Sequence, residues 1–113
     1  MLSRLLTKLT ASSGVPAVTH EELQQAHLNG TCTVVDVREA REYASGHIPG
    51  AINHPLSQFD PARIPRGKPI VLICQAGSRS TAAMQRAIAA GRQDIRHYPG
   101  GMTGWRAHCG PVA

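Results

Sequence analysis

Aromatic side chains are scarce in this 113-residue chain: Tyr43, Phe59, Tyr98 and Trp105 are the whole complement, and none stands within a basic run. Single strands of nucleic acid are held by stacking bases on aromatic faces in a cationic groove. Nucleic acid is therefore not an expected partner, despite a net charge of +5. Long apolar runs are also missing, and a membrane-crossing helix needs roughly 18 residues of one. No membrane span is expected. Cysteine is sparse and odd in number, at 32, 74 and 109, with spacings that match neither a disulfide framework nor a zinc site. The six histidines, at 20, 27, 47, 54, 97 and 108, lack ligand spacing, so no metal and no other cofactor is expected. Unpaired thiols of this kind suit a reducing, cytoplasmic compartment.

Acidic residues nearly vanish from the second half. Residues 1–50 hold 4 basic and 5 acidic side chains, whereas residues 51–113 hold 8 basic and 2 acidic. That asymmetry steers small anions toward the second half. At 12.1 kDa with 42% hydrophobic residues, the chain is sized for a single soluble domain.

Within the basic half stands Cys74-Gln75-Ala76-Gly77-Ser78-Arg79-Ser80. The apolar run Ile70-Val71-Leu72-Ile73 before it reads as a buried strand, and Ala82, Ala83, Met84, Ala87 and Ile88 recur beyond it at helical spacing. The loop thus joins a strand's carboxyl end to a helix's amino end, expected over Ser80–Ala90. The first N–H groups of a helix lack internal partners, and the peptide dipoles add partial positive charge there. A thiolate at Cys74 would be stabilised by those N–H groups and by the Arg79 guanidinium, lowering its pKa below the free value of about 8.5. Gly77 permits a positive φ and close backbone approach, while Ser78 and Ser80 add hydroxyl donors and Ser80 can cap the helix. A lone cysteine at a strand end is ordinarily an inert small hydrophobe. It is the ordered set around Cys74 that marks a nucleophile.

The rest of the chain alternates strand and helix signals. Residues 1–14 carry Leu2, Leu5, Leu6 and Leu9 at helical spacing with Arg4 and Lys8 between them, the pattern of a short amphipathic helix. Its acid-free, serine-containing character is also that of organelle transit peptides, but a terminal helix of a cytoplasmic protein is the plainer expectation. Val15–Val18 is a short candidate strand. Thr19 and Glu22 form a capping-box pattern for a helix to about Leu28, stopped by Asn29-Gly30. Cys32–Val37 suits a central strand, with Cys32 as core. Asp36 and Arg38 stand at its carboxyl end, where open α/β sheets place ligands. They either line the site or brace a loop, and bracing is favoured. A turn carrying His47 leads to a strand at Ala51–His54, and Pro55–Pro69 reads as loop with one turn of helix near Ser57–Phe59. Ile95–Tyr98 supplies a last strand and Met102–Ala107 a short helix with Trp105 as a core anchor. The fold class expected is α/β, a three-layer α/β/α domain over residues 15–113 with a parallel sheet of about five strands.

Four blocks together resemble the rhodanese family of sulfurtransferases: Asp36-Val37-Arg38-Glu39 with Glu42-Tyr43; Gly46-His47-Ile48-Pro49-Gly50-Ala51; Cys74 to Ser80; and Gly100-Gly101 with Trp105. They occur in the family's order. The resemblance implies a rhodanese-like fold. Cys74 would take a sulfane sulfur from a small anionic donor such as thiosulfate, become a persulfide, and pass the sulfur to cyanide or a thiol. Gln75, Ala76, Gly77, Ser78, Arg79 and Ser80 would bind the substrate. Some family members that use thiosulfate carry a cation directly after the cysteine, where this chain has neutral Gln75, so a small persulfide or a protein persulfide partner stands beside thiosulfate as donor. Related cell-cycle phosphatases place seven residues in this loop, against six here from Cys74 to Arg79; the tighter ring suits sulfur better than phosphate. Phosphatase or arsenate reductase activity, and a non-catalytic binding module, are the rival readings.

Overall fold

The computed structural model describes residues 14–113. The amphipathic segment expected over residues 1–14 lies, apart from Gly14, outside the described residues. Four strands, β1 (Thr33–Asp36), β2 (Ile52–Asn53), β3 (Ile70–Ile73) and β4 (Ile95–His97), form one parallel sheet in the order β2-β1-β3-β4. The expected strand over Val15–Val18 is reduced to a single parallel bridge, Ala17 with His97. About five strands thus become four and a bridge, because Pro16 lacks the N–H that would extend the ladder.

Parallel strands are covered on both faces, and successive side chains alternate between them. Val35, Ile70, Leu72 and Ile95 point to one face, where they pack with Ala83, Met84 and Ala87 of α3 (Ser78–Ala89) and with Phe59. Val34, Val71 and Ile73 point to the other, against Leu23 of α1 (His20–Asn29) and Met102 and Trp105 of α4 (Gly101–Ala107). The three layers are present as expected.

Local chemistry explains the ends of these elements. Thr19 and Glu22 make the reciprocal capping box of α1, and Gly30 closes it in a left-handed conformation. A further short helix, α2 (Ala40–Ala44), begins with the Glu39 N–H donating to Glu42 Oε1 at 3.0 Å. One turn of 3-10 helix covers Leu56–Gln58 as expected, and another, Pro61–Arg63, follows it with Asp60 capping Ala62 N. Ser80 is not a cap: α3 starts two residues earlier, with Gly77 at φ 100° in the cap position. Among the described residues no helix is long and apolar enough to cross a membrane.

Candidate active site

Strand β3 ends at Ile73, so Cys74 is the first residue beyond the sheet, and α3 begins at Ser78. Its side chain is buried, 1% exposed, yet the amides turn toward it. The Gly77 N–H donates to Sγ at 3.1 Å and the Ser80 N–H at 3.3 Å, while Ser80 Oγ lies 3.6 Å away. Burial pushes this thiol up. The Ser80 N–H and hydroxyl, then the Gly77 and Ala76 N–H groups, outweigh burial and bring it below its ordinary value. Cys32 supplies the contrast: burial is the main influence there, Lys68 offsets part of it, and the thiol is pushed up.

The loop keeps this shape because α4 grips it from outside. Met102 N–H donates to Cys74 O at 2.9 Å and Thr103 N–H to Gln75 O at 3.1 Å. With those carbonyls drawn outward, the amides that follow face the sulfur. Close approach is required for this. Gly101 sits at φ 60°, and a Cβ there would strike Gln75 O and come within 2.6 Å of Cys74 O. Gly77 has the same constraint, since a Cβ would meet Pro99 O at 2.6 Å.

Of the residues expected at the site, Ala76, Gly77 and Ser80 converge on the Cys74 sulfur. Gln75 turns aside, with Nε2 on Thr103 Oγ1 at 3.1 Å and Oε1 3.4 Å from Arg38 Nη1. Ser78 is exposed on the first turn of α3. Arg79 departs from expectation, because its guanidinium is committed to Glu42 in a two-pronged ion pair of 2.7 and 3.0 Å. That bond holds the Glu42 carboxyl down at about 2 and raises Arg79; the Cys74 charge acts on Arg79 only through space. Asp36 and Arg38 brace. Arg38 meets both Asp36 oxygens, at 2.8 Å for the closest contact, and donates to Gly46 O at 2.7 Å. This buried pair ties the β1 end to the following turn.

His97 has no place in the four blocks, but its ring nitrogen Nδ1 lies 2.9 Å from Ser80 Oγ. The strand Ile95-Arg96-His97 alternates buried, exposed, buried, so period two places a titratable ring on a core face. That was the available signal. Thr103 had none, since its role depends on where α4 docks. Among the described residues no cluster of metal-binding side chains occurs. A cavity of about 500 Å³ lies away from the loop, at the amino ends of the strands, lined by Glu22, Cys32, Asp94 and Arg96 among others. Its one thiol is Cys32, which burial pushes up.

A family model described as Rhodanese-like domain matches residues 19–108. The human thiosulfate:glutathione sulfurtransferase is 34% identical over 109 residues, covering 82% of this chain and 95% of that protein. An uncharacterized protein of Synechocystis is 40% identical over 86 residues, 74% of this chain. The match spans about half of that relative, 48% of its length. Among solved structures, a human single-domain sulfurtransferase superposes with a TM-score of 0.70 at 32% identity, covering 81% of this chain and 96% of the other.

Proposed function

This chain belongs to the rhodanese-like domain family, and we propose that it is a sulfurtransferase in which Cys74 carries the sulfur. The observation that supports this reading most is the convergence of the Gly77 N–H, the Ser80 N–H and the Ser80 hydroxyl on one buried sulfur. A thiolate so held is a nucleophile at neutral pH. Its lone pair attacks the outer sulfur of the donor, the donor's S–S bond breaks with its electron pair leaving on sulfite or a thiolate, and Cys74 becomes a persulfide. An acceptor thiolate or cyanide then attacks the outer persulfide sulfur, and the electron pair of that S–S bond returns to Cys74. The second half-reaction returns the charge to Sγ, the atom at which the Gly77 and Ser80 N–H groups already point.

Gln75 bears on the donor. The side chain after the nucleophile is neutral and tied to Thr103, so no cation stands there for the second charge of thiosulfate. Thiosulfate therefore serves as one donor among sulfane sulfur compounds, beside glutathione persulfide or a protein persulfide, with a thiol as acceptor. A cytoplasmic setting suits the three free thiols. Purified protein is expected to release sulfite from thiosulfate when given cyanide or glutathione, and Cys74→Ser to abolish this. Brisk release of phosphate from an aryl phosphate, with no sulfite formed, would overturn the reading in favour of a phosphatase.

A further inference from the structure

Ser80 has one hydroxyl proton and three neighbours that could receive it: Cys74 Sγ at 3.6 Å, Gly77 O at 3.2 Å and His97 Nδ1 at 2.9 Å. Which one does is decided by His97. The ring is 1% exposed, and no hydrogen-bonding group reaches Nε2. A proton on Nε2 would be a buried donor without an acceptor, left with its full desolvation penalty. It would also leave Nδ1 as a bare acceptor competing with the sulfur for the Ser80 proton. A proton on Nδ1 reverses both effects. The ring then donates to Ser80 Oγ, and the Ser80 proton is free to turn to the sulfur.

We propose that His97 is a positioning residue held as the neutral Nδ1–H tautomer, which donates to Ser80 Oγ and thereby directs the Ser80 hydroxyl at the Cys74 sulfur. One rotating hydroxyl then serves both states of the cysteine. When Cys74 is a thiol, its S–H donates to Ser80 and the Ser80 proton turns to Gly77 O. When Cys74 is a thiolate, as it is before attack and again when the persulfide sulfur departs, the proton swings to Sγ. Gly77 O is not orphaned by the swing, because the Thr81 N–H at 3.0 Å and the Thr81 hydroxyl at 2.8 Å also donate to it. Ser80 can accept from the ring and the thiol together, having two lone pairs.

His97 is not a general base. A second ring proton would sit on Nε2, where nothing accepts it, and burial already disfavours the charged ring. No carboxylate or cation hydrogen-bonds the ring or Ser80 among the described residues. Arg79, paired with Glu42, is the charged side chain with a through-space link to Cys74, and the Asp36–Arg38 pair stands at the end of the neighbouring strand β1, where Asp36 is in register with Ile73.

The proposal rests on the sulfurtransferase reading of Cys74, but its readouts need no turnover, so failure of one is distinguishable from failure of the other. Two-bond proton–nitrogen correlation spectra of wild-type protein carrying nitrogen-15 histidine are expected to show His97 protonated on Nδ1 alone from pH 6 to 9. A proton on Nε2, or a ring that titrates in that range, overturns the proposal. The pH dependence of Cys74 alkylation by iodoacetamide supplies the second arm. His97→Leu is expected to move the profile to higher pH and slow alkylation roughly 3- to 10-fold below its midpoint, the scale of part of one charge-assisted hydrogen bond. His97→Asn, whose amide N–H can replace Nδ1–H, is expected to restore most of it. His97→Leu added to Ser80→Ala is expected to have no further effect. A His97→Leu profile superimposed on wild type, or one additive with Ser80→Ala, overturns the proposal.

Discussion

Cys32 and Cys74 place one side chain in two settings, the first half-buried and the second buried, and move in opposite directions. Burial alone disfavours a thiolate, so the difference lies in the donors aimed at sulfur. Ranking the cysteines by alkylation midpoint is expected to put Cys74 below Cys32, and Cys32→Ser and Cys109→Ser are expected to keep sulfur transfer within about twofold, while Cys74→Ser loses at least about 10³-fold. Glu42 offers a pH-dependent test. Its carboxyl is held at about 2 against an ordinary 4.5 by the Arg79 bond, so the native state binds its proton less readily than the unfolded chain. The resulting stability is present in full above the unfolded value and is lost as pH falls from about 4.5 through about 2. The pair is one-third exposed, which limits its worth to about 0.5–1 kcal/mol. Urea unfolding of wild type and Glu42→Gln is expected to differ by that amount at pH 6 and to converge by pH 2.

At the scale of elements, the loop depends on α4 as much as on β3 and α3. Gly101→Ala would drive a methyl group into Gln75 O and Cys74 O, and strain a backbone at φ 60°. A loss of about 2–4 kcal/mol is expected in urea unfolding. A larger fall in kcat than the folded fraction explains is also expected, because the amides that face Cys74 lose their outside anchor. Much of this layer was legible. Ile70–Ile73 and the Thr19–Glu22 box are local signals, and they appear where the pattern puts them. Ser80 was legible as a donor but not as an interior one: read alone it looks like a cap, and only the start of α3 at Ser78 turns its hydroxyl inward. Arg79 was legible only in part: its through-space link to Cys74 is there to read, its ion pair is not. The loop suggests a cation for the thiolate, but Glu42, 37 residues away in sequence, claims its guanidinium once α2 docks. Val15–Val18 has strand composition, yet with Pro16 on an edge it makes one bridge.

For the molecule as a whole, the excess of 8 basic over 2 acidic residues after position 50 lies in the half that carries Cys74. An anionic donor is drawn by that field and a neutral one is not. Raising ionic strength from 0.01 to 0.2 M is therefore expected to lower kcat/KM for thiosulfate roughly 3- to 10-fold and to leave that for an uncharged persulfide nearly unchanged. Equal sensitivity for both donors would remove the steering. Sulfur carriage by Cys74 stands on two main-chain N–H groups and the Ser80 hydroxyl gathered at one buried sulfur. Its most direct test is the intact mass of the protein, and of its Cys74 peptide, after exposure to thiosulfate or glutathione persulfide. The gain of one sulfur atom on Cys74 is expected, reversed by cyanide and absent in Cys74→Ser. An unchanged Cys74 peptide with both donors, or sulfur appearing on Cys32 or Cys109 instead, would contradict it.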